Sequence, residues 1–72
     1  MTEAEVKFII SRVIQNAKDA IEESNQNTTV EFNAGKILAY YEILDTIKNE
    51  LIVREQDLQE FGLDFDLEKT FF

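Results

Sequence analysis

The feature that most constrains the fold is a single apolar stripe in the second half of this 72-residue chain. Its members recur at alternating steps of three and four residues, and one polar residue, Arg54, interrupts them. We call this stripe the apolar seam: Ile37, Tyr40, Leu44, Ile47, Leu51, Leu58 and Phe61. Such spacing is typical of an amphipathic helix that packs against another helix. Because a chain this short has few other elements to cover the seam, the sequence predicts a partner, most simply a second copy of the chain.

Length and composition favour the same conclusion. The core of so small a domain contributes only about 3–5 kcal/mol, and a disulfide, a metal or an oligomer usually supplies the remaining stability. The chain contains no Cys and no His, which excludes a disulfide and leaves only carboxylates as zinc ligands. We therefore expect self-association, as a homodimer first and as a tetramer in the alternative.

The net charge is −8, from fifteen acidic and seven basic residues. This charge opposes direct binding to nucleic-acid phosphates and to anionic membranes. A partner other than the chain itself is therefore expected to be basic or apolar. Residues 1–5, which include Glu3 and Glu5, lack the features of a signal peptide. No apolar run approaches the roughly 18 residues of a membrane span. We expect a cytoplasmic protein without membrane contact.

A first helix is predicted over residues 2–24. Thr2 and Glu5 have the spacing of a capping box, in which each side chain binds a backbone N–H group at the helix start. A broad apolar arc follows along the helix. Its members are Val6, Ile9, Ile10, Val13, Ile14, Ala17, Ala20 and Ile21. Glu3 and Lys7 add an i, i+4 ion pair.

The polar cluster after the first helix predicts a turn between two antiparallel helices. Two starts for the second helix remain open. In one, Thr28 and Glu31 form a capping box and Gly35 lies inside the helix. In the other, Asn33 is the N-cap and residues 28–32 are extended.

The second helix is predicted to run from about residue 30 to residue 61. From Ala34 onward it has no breaker over about 28 residues, or roughly 42 Å. Its flanks are also apolar, at Leu38, Tyr41, Ile43, Ile52 and Val53. One neighbour cannot cover all of this surface, so we expect one face to meet the first helix and another to meet a second chain. The predicted fold is an all-α antiparallel helical hairpin that dimerises into a four-helix bundle.

The dimer core is expected to combine residues of both helices. These ten residues are Val6, Ile10, Val13, Ala17, Ile37, Tyr40, Leu44, Ile47, Leu51 and Leu58. Arg54 at the edge of the seam has two interpretations. It either forms an i, i+4 pair with Glu50 or is a buried polar residue that sets the register of the dimer.

Residues 62–72 are predicted to form an extended acidic and aromatic tail within a single domain of residues 1–72. Gly62 has the position of a C-cap, and apolar and acidic residues then alternate. The tail either covers the open end of the bundle or pairs with residues 28–32 as a two-stranded ribbon. Its charge either provides solubility or makes it a partner-binding arm. The arm would use Asp64, Phe65, Asp66, Glu68, Phe71 and Phe72.

Catalytic chemistry is nearly absent from the sequence. Without His or Cys, the usual pairing of a nucleophile with a base cannot be assembled. The densest carboxylate pair is Glu42 with Asp45, beside Tyr40 and Tyr41, and a solvated helix face accounts for it. We expect no enzyme, no catalytic residue, no metal site and no cofactor.

The stretch GKILAYYEILD at residues 35–45 and the later FGLD at residues 61–64 resemble small uncharacterised bacterial helical proteins, some of them carried by phages and other mobile elements. The resemblance covers about half of the chain and implies an accessory role, without site residues. The expected function is a non-enzymatic, self-associating protein–protein interaction module. The alternative is an acidic accessory protein of phage or mobile-element type that inhibits a nucleic-acid-binding protein, with carboxylates in place of phosphates.

Overall fold

The computed structural model describes residues 1–26 and 30–72. Two long helices, α1 (Glu3–Gln26) and α2 (Val30–Val53), pack against each other. Because only three residues connect them, they run antiparallel. A 3-10 turn (Leu58–Phe61) and a short helix, α3 (Leu67–Phe71), complete the chain. The described residues contain helices and turns but no strand, so the all-α prediction is confirmed and the predicted ribbon is wrong.

Helix α1 begins where the sequence predicts. The backbone N–H of Thr2 donates to Glu5 Oε1 at 2.8 Å, and the backbone N–H of Glu5 donates to Thr2 Oγ1 at 3.1 Å. This reciprocal pair is the expected capping box, and the hydrogen bonds from Thr2 lower the pKa of the Glu5 carboxyl. Glu3 also forms its predicted ion pair with Lys7, at 3.8 Å.

Helix α2 already includes residues 30–32, so the extended start is wrong for these residues. Asn33 is buried inside the helix and is not its N-cap. Gly35 lies inside the helix, as the first alternative requires. The capping hydroxyl of that alternative belongs to Thr28, which lies outside the described residues.

Helix α2 ends at Val53, eight residues before the predicted end at Phe61. The stop is a left-handed residue, Glu55, with φ of 57°. Its N–H donates to the carbonyl of Ile52 at 3.0 Å, and the next N–H, of Gln56, donates to that of Leu51 at 2.9 Å. These two bonds form a Schellman motif, which usually places glycine at the left-handed position. The prediction of a long helix is wrong because this position is a glutamate, and the sequence therefore has no glycine there to signal the helix end.

The early helix end also changes the interpretation of Arg54. This residue lies in the turn after α2, and its backbone N–H still donates to the carbonyl of Glu50 at 3.1 Å. Its side chain is exposed and, within the described part of the chain, forms no ion pair with the Glu50 carboxylate. The predicted ion pair with Glu50 is therefore wrong, whereas a role of Arg54 in setting the register of a dimer stays a prediction.

The tail is folded, so the prediction of an extended arm is wrong. Asp57 caps the 3-10 turn by accepting from the N–H of Gln59 at 3.0 Å, and Asp66 caps α3 by accepting from the N–H of Lys69 at 3.2 Å. Gly62 is the expected left-handed cap, with φ of 73°, but it ends the 3-10 turn rather than α2.

The 3-10 turn and the folded tail together supply half of the buried core. The buried cluster consists of Ile10, Ile14, Ala17, Leu44, Phe61, Leu63, Leu67 and Phe71. Leu44 of α2 and Leu63 of the tail have no exposed surface at all. Leu63, Leu67 and Phe71 recur at steps of four residues, which is a helical period. The alternation of apolar and acidic residues from Leu63 to Leu67 instead predicts an extended segment. The tail thus covers one side of the hairpin and, with α1, buries Leu44 and Phe61 of the apolar seam, while the other seam residues are partly buried.

Nine of the ten residues predicted for the dimer core lie in or against this intrachain core. They are Val6, Ile10, Val13, Ala17, Ile37, Tyr40, Leu44, Ile47 and Leu51. The tenth, Leu58, is partly buried in the 3-10 turn. The chain itself therefore covers the seam in part, and its cover by a second chain stays a prediction. The four-helix bundle remains a prediction.

We expect Glu55→Gly to stabilise the fold by about 0.5–1 kcal/mol, because a residue other than glycine pays for the left-handed conformation. Chemical denaturation at one fixed protein concentration measures the change. Glu55→Gln is the control, since it removes the same charge and keeps the side chain. A glycine variant no more stable than the glutamine variant would contradict the account of the helix stop.

The two glycines should respond to alanine with opposite signs. At Gly62 a Cβ would meet only Ile14 Cδ1 at 3.8 Å, an ordinary contact, so the cost of about 1 kcal/mol comes from the positive φ. At Gly35 a Cβ meets nothing within 4 Å, so Gly35→Ala should gain up to about 1 kcal/mol of helix propensity. Denaturation midpoints measure both effects, and destabilisation at Gly35 would show that a neighbour approaches it.

Candidate protein-interaction surface

Several large apolar side chains stay exposed after the core has formed. They are Met1, Phe8, Ile9, Phe32, Leu38, Ile43, Ile52, Val53 and Phe72. Helix α2 holds five of the nine, although it also contributes the fully buried Leu44. The flanks of this helix therefore keep apolar surface that neither α1 nor the tail covers, as the sequence predicts.

Three of these side chains lie on one line along α2. Phe32 is 67% exposed, Ile43 50% and Val53 74%. They belong to a row with alternating steps of four and three residues, which keeps its members on one side of a helix. We call this row the outer face of α2: Phe32, Lys36, Ala39, Ile43, Thr46, Glu50 and Val53. It lies about a third of a turn from the buried side of the helix.

An open hollow of about 440 Å³ lies at the centre of the outer face. It is lined by Ala39, Glu42, Ile43, Thr46 and Ile47. All five belong to α2, so the hollow is a shallow depression beside one helix and not an enclosed cavity. The small side chain at residue 39 and the open space beside Gly35 leave room for another helix to approach this face closely.

The outer face has one positive and one negative side chain. Lys36 and Glu50 lie seven residues before and seven residues after Ile43, respectively. Lys36 Nζ is 3.2 Å from Glu23 Oε2 of α1, an exposed pair, whereas Glu50 forms no ion pair within the residues that the structure describes. The face therefore has no net charge, although the whole chain is strongly acidic.

The aromatic residues at the C-terminus hold the tail against α2. The Tyr41 ring lies 5.0 Å from the ring of Phe72 and 6.3 Å from that of Phe71, both edge to face. The Tyr41 hydroxyl donates to Glu68 Oε1 at 3.4 Å, and Lys48 Nζ donates to a tail carbonyl at 2.8 Å. These contacts stabilise the docked tail alongside its buried apolar residues.

The six residues of the predicted partner-binding arm have separate roles in the folded tail. Phe71 is buried in the core, and Phe65 is partly buried below the Lys18 ammonium, which lies 5.8 Å from its ring centre. Asp66 caps α3, and Glu68 accepts from Tyr41. Asp64 is exposed and has no such role. Phe72 is also exposed, and its ring packs against the ring of Tyr41. An arm free to bind through all six is therefore wrong, because core packing and capping use most of them.

The predicted carboxylate pair is divided between two surfaces. Glu42 is exposed and borders the hollow on the outer face, whereas Asp45 is partly buried near Asp66 and Glu68 of the tail. Burial raises the pKa of the Tyr41 phenol, and the carboxylates of Glu68, Asp45 and Asp66 raise it further. This tail-side edge of α2 is therefore acidic, in contrast to the neutral outer face.

Other kinds of site find little support in residues 1–26 and 30–72. These residues contain no group of three or more side chains of the type that holds a metal ion. No helix among them combines the length and the apolar content that crossing a membrane requires. Comparisons with protein-family models, with curated proteins and with solved structures gave no match.

The Tyr41 phenol should titrate above its ordinary value of 10.0. In a Tyr40→Phe variant, Tyr41 is the only tyrosine, so ultraviolet absorbance of the phenolate reports it alone. Because the folded state favours the neutral phenol, this contribution to stability is present below pH 10 and is lost as the pH rises through the folded pKa. Adding Glu68→Gln to the Tyr40→Phe variant should lower the midpoint of the Tyr41 titration towards 10.0, and burial of the phenol should keep the midpoint above that value. A midpoint at or below 10.0 before that change would contradict the docked position of Tyr41.

Proposed function

We propose that this chain is a non-enzymatic protein–protein interaction module that associates with a second copy of itself through the outer face of α2. The supporting observation is the row of exposed apolar side chains, Phe32, Ile43 and Val53, along one side of the helix. Single exposed apolar residues are normal on protein surfaces, whereas larger apolar patches mark interaction surfaces, and these three side chains share one side of α2. The absence of Cys and His from the sequence supports the non-enzymatic part of the proposal.

The expected affinity follows from the size of these side chains. Burying one side chain of this type completely is worth about 1.5–3 kcal/mol, and Phe32, Ile43 and Val53 are 67%, 50% and 74% exposed, so most of that gain remains available. A symmetric dimer buries these three side chains from each of its two chains, so the favourable free energy of burial is on the order of 5–10 kcal/mol. Association itself costs about 4–15 kcal/mol. The proposed complex is therefore a reversible dimer whose population depends on protein concentration.

One observation favours the second candidate, an acidic inhibitor of a nucleic-acid-binding protein. Asp45, Asp66 and Glu68 lie around Tyr41 on the tail-side edge of α2, where their charges could replace those of phosphates. This function requires a complex with a basic protein that weakens steeply as salt increases. It uses a different surface from self-association, so substitutions on the outer face of α2 should leave such a complex unchanged.

The test of self-association replaces Ile43 by glutamate. We expect Ile43→Glu to convert the dimer to a monomer, because a charge at the centre of an apolar interface has no partner. Since Ile43 is half exposed, the monomer should stay folded. Size-exclusion chromatography with light scattering measures the mass, and circular dichroism measures the helix content.

Leu38→Glu is the matched control. Leu38 is also on α2 and is 45% exposed, and it lies more than a third of a turn away from Ile43 around the helix. The same charge is added, so general repulsion between the chains rises equally in both variants. Equal dissociation in both variants would place the contact elsewhere and contradict the proposal.

A further inference from the structure

We infer that the second copy binds antiparallel, α2 against the partner's α2, with the two-fold axis passing beside Ile43. This inference rests on the proposed function and adds to it the orientation and the residues that select it. The basis is the order of side chains on the outer face, which becomes complementary to itself when it is reversed about its centre.

The charges favour the reversed order. Lys36 and Glu50 are each seven residues from Ile43, so an antiparallel pair places Lys36 opposite the partner's Glu50, twice in the dimer. A parallel pair would place like charges opposite each other at both positions. Charged residues within the contact row of a helix pair specify register and orientation, at a cost in stability. The existing contact of Lys36 with Glu23 is exposed, and pairs of this kind are worth at most about 1 kcal/mol, so it does not prevent the new contact.

The sizes of the apolar residues agree with the same order. With Ile43 against the partner's Ile43, the small Ala39 comes to lie within one residue of the level of the partner's Thr46, and the large Phe32 within one residue of the level of the partner's Val53 at the ends. Small residues on either side of the centre allow the two helices to approach, and the hollow beside Ile43 receives the partner's side chain. Layers of this kind are typical of an antiparallel helix pair with heptad spacing.

Charge also explains why the occupant is a second copy. Two chains of net charge −8 repel each other, and the repulsion is least where neutral surfaces meet. The outer face has one lysine and one glutamate in its row, and Glu42 at its hollow adds one negative charge, so it is less acidic than the tail-side edge with Asp45, Asp66 and Glu68. A strongly basic partner would instead be drawn to the acidic tail-side edge of α2.

The test reverses the two charges in separate chains and then mixes the chains. In Lys36→Glu and in Glu50→Lys, both contacts of the homodimer become like-charged, so each variant alone should dimerise about fivefold or more weakly than the wild type. In the mixed dimer both contacts are again of opposite charge, and wild-type affinity should return. A contact within one chain cannot be restored by mixing, so the recovery reports the interface alone.

Lys69→Glu mixed with Asp64→Lys is the control pair, because both residues are exposed on the tail and undergo the same charge changes. Sedimentation equilibrium measures all affinities, and circular dichroism verifies the folding of each variant. Recovery in the first mixture and no gain in the control mixture are the expected results. A wild-type dimer whose reversed variants are no weaker alone, or do not recover on mixing, would overturn the antiparallel arrangement alone, whereas a wild-type monomer at every concentration would overturn the proposed function as well.

Discussion

The docking of the C-terminal segment onto the helical hairpin is the interaction on which the rest of the structure depends. Leu63, Leu67 and Phe71 enter the core at steps of four residues, and Leu63 is as completely buried as Leu44 of α2. A two-helix hairpin alone would leave one side of this core in water. The tail supplies a third layer, with capped turns that fix its path, and lets a 72-residue chain without Cys or His enclose a core.

The same packing decides which surface is left for a partner. Because α1 and the tail together cover part of the apolar seam, the outer face of α2 is left with three exposed large apolar side chains, Phe32, Ile43 and Val53. The tail also places its carboxylates beside Tyr41, so the two sides of α2 differ in charge. The proposed self-association uses the neutral side, and the tail-side edge remains acidic and accessible.

Local patterns in the sequence predicted the parts of the fold that local physics determines. The capping box at Thr2 and Glu5 and the apolar arc of α1 depend on neighbouring residues, and both are present. The end of α2 was missed because its left-handed position is a glutamate, Glu55, where a glycine would have been the signal. The path of the tail was missed because acidic residues between Leu63 and Leu67 give the alternation of a strand, while the core contacts follow a helical period.

The candidate surface could be predicted only in part. The flanking apolar residues of α2 indicated a second contact face, but the residues chosen for the dimer core were those with the strongest periodicity, such as Leu44 and Ile37. The structure buries Leu44 and packs the partly buried Ile37 against the same core within one chain. Periodicity alone does not show whether the cover comes from the same chain or another. The weaker row through Ala39, Ile43 and Thr46 became visible only once the tail had a position.

The most direct test of self-association is the solution mass of the wild-type protein over a wide range of concentrations, measured by light scattering. The account predicts a mass that rises with concentration from the 8.4 kDa of one chain towards twice that value, as expected for a reversible dimer. A constant mass of 8.4 kDa at all concentrations would contradict it, since the exposed row on α2 would then have no second copy to cover it.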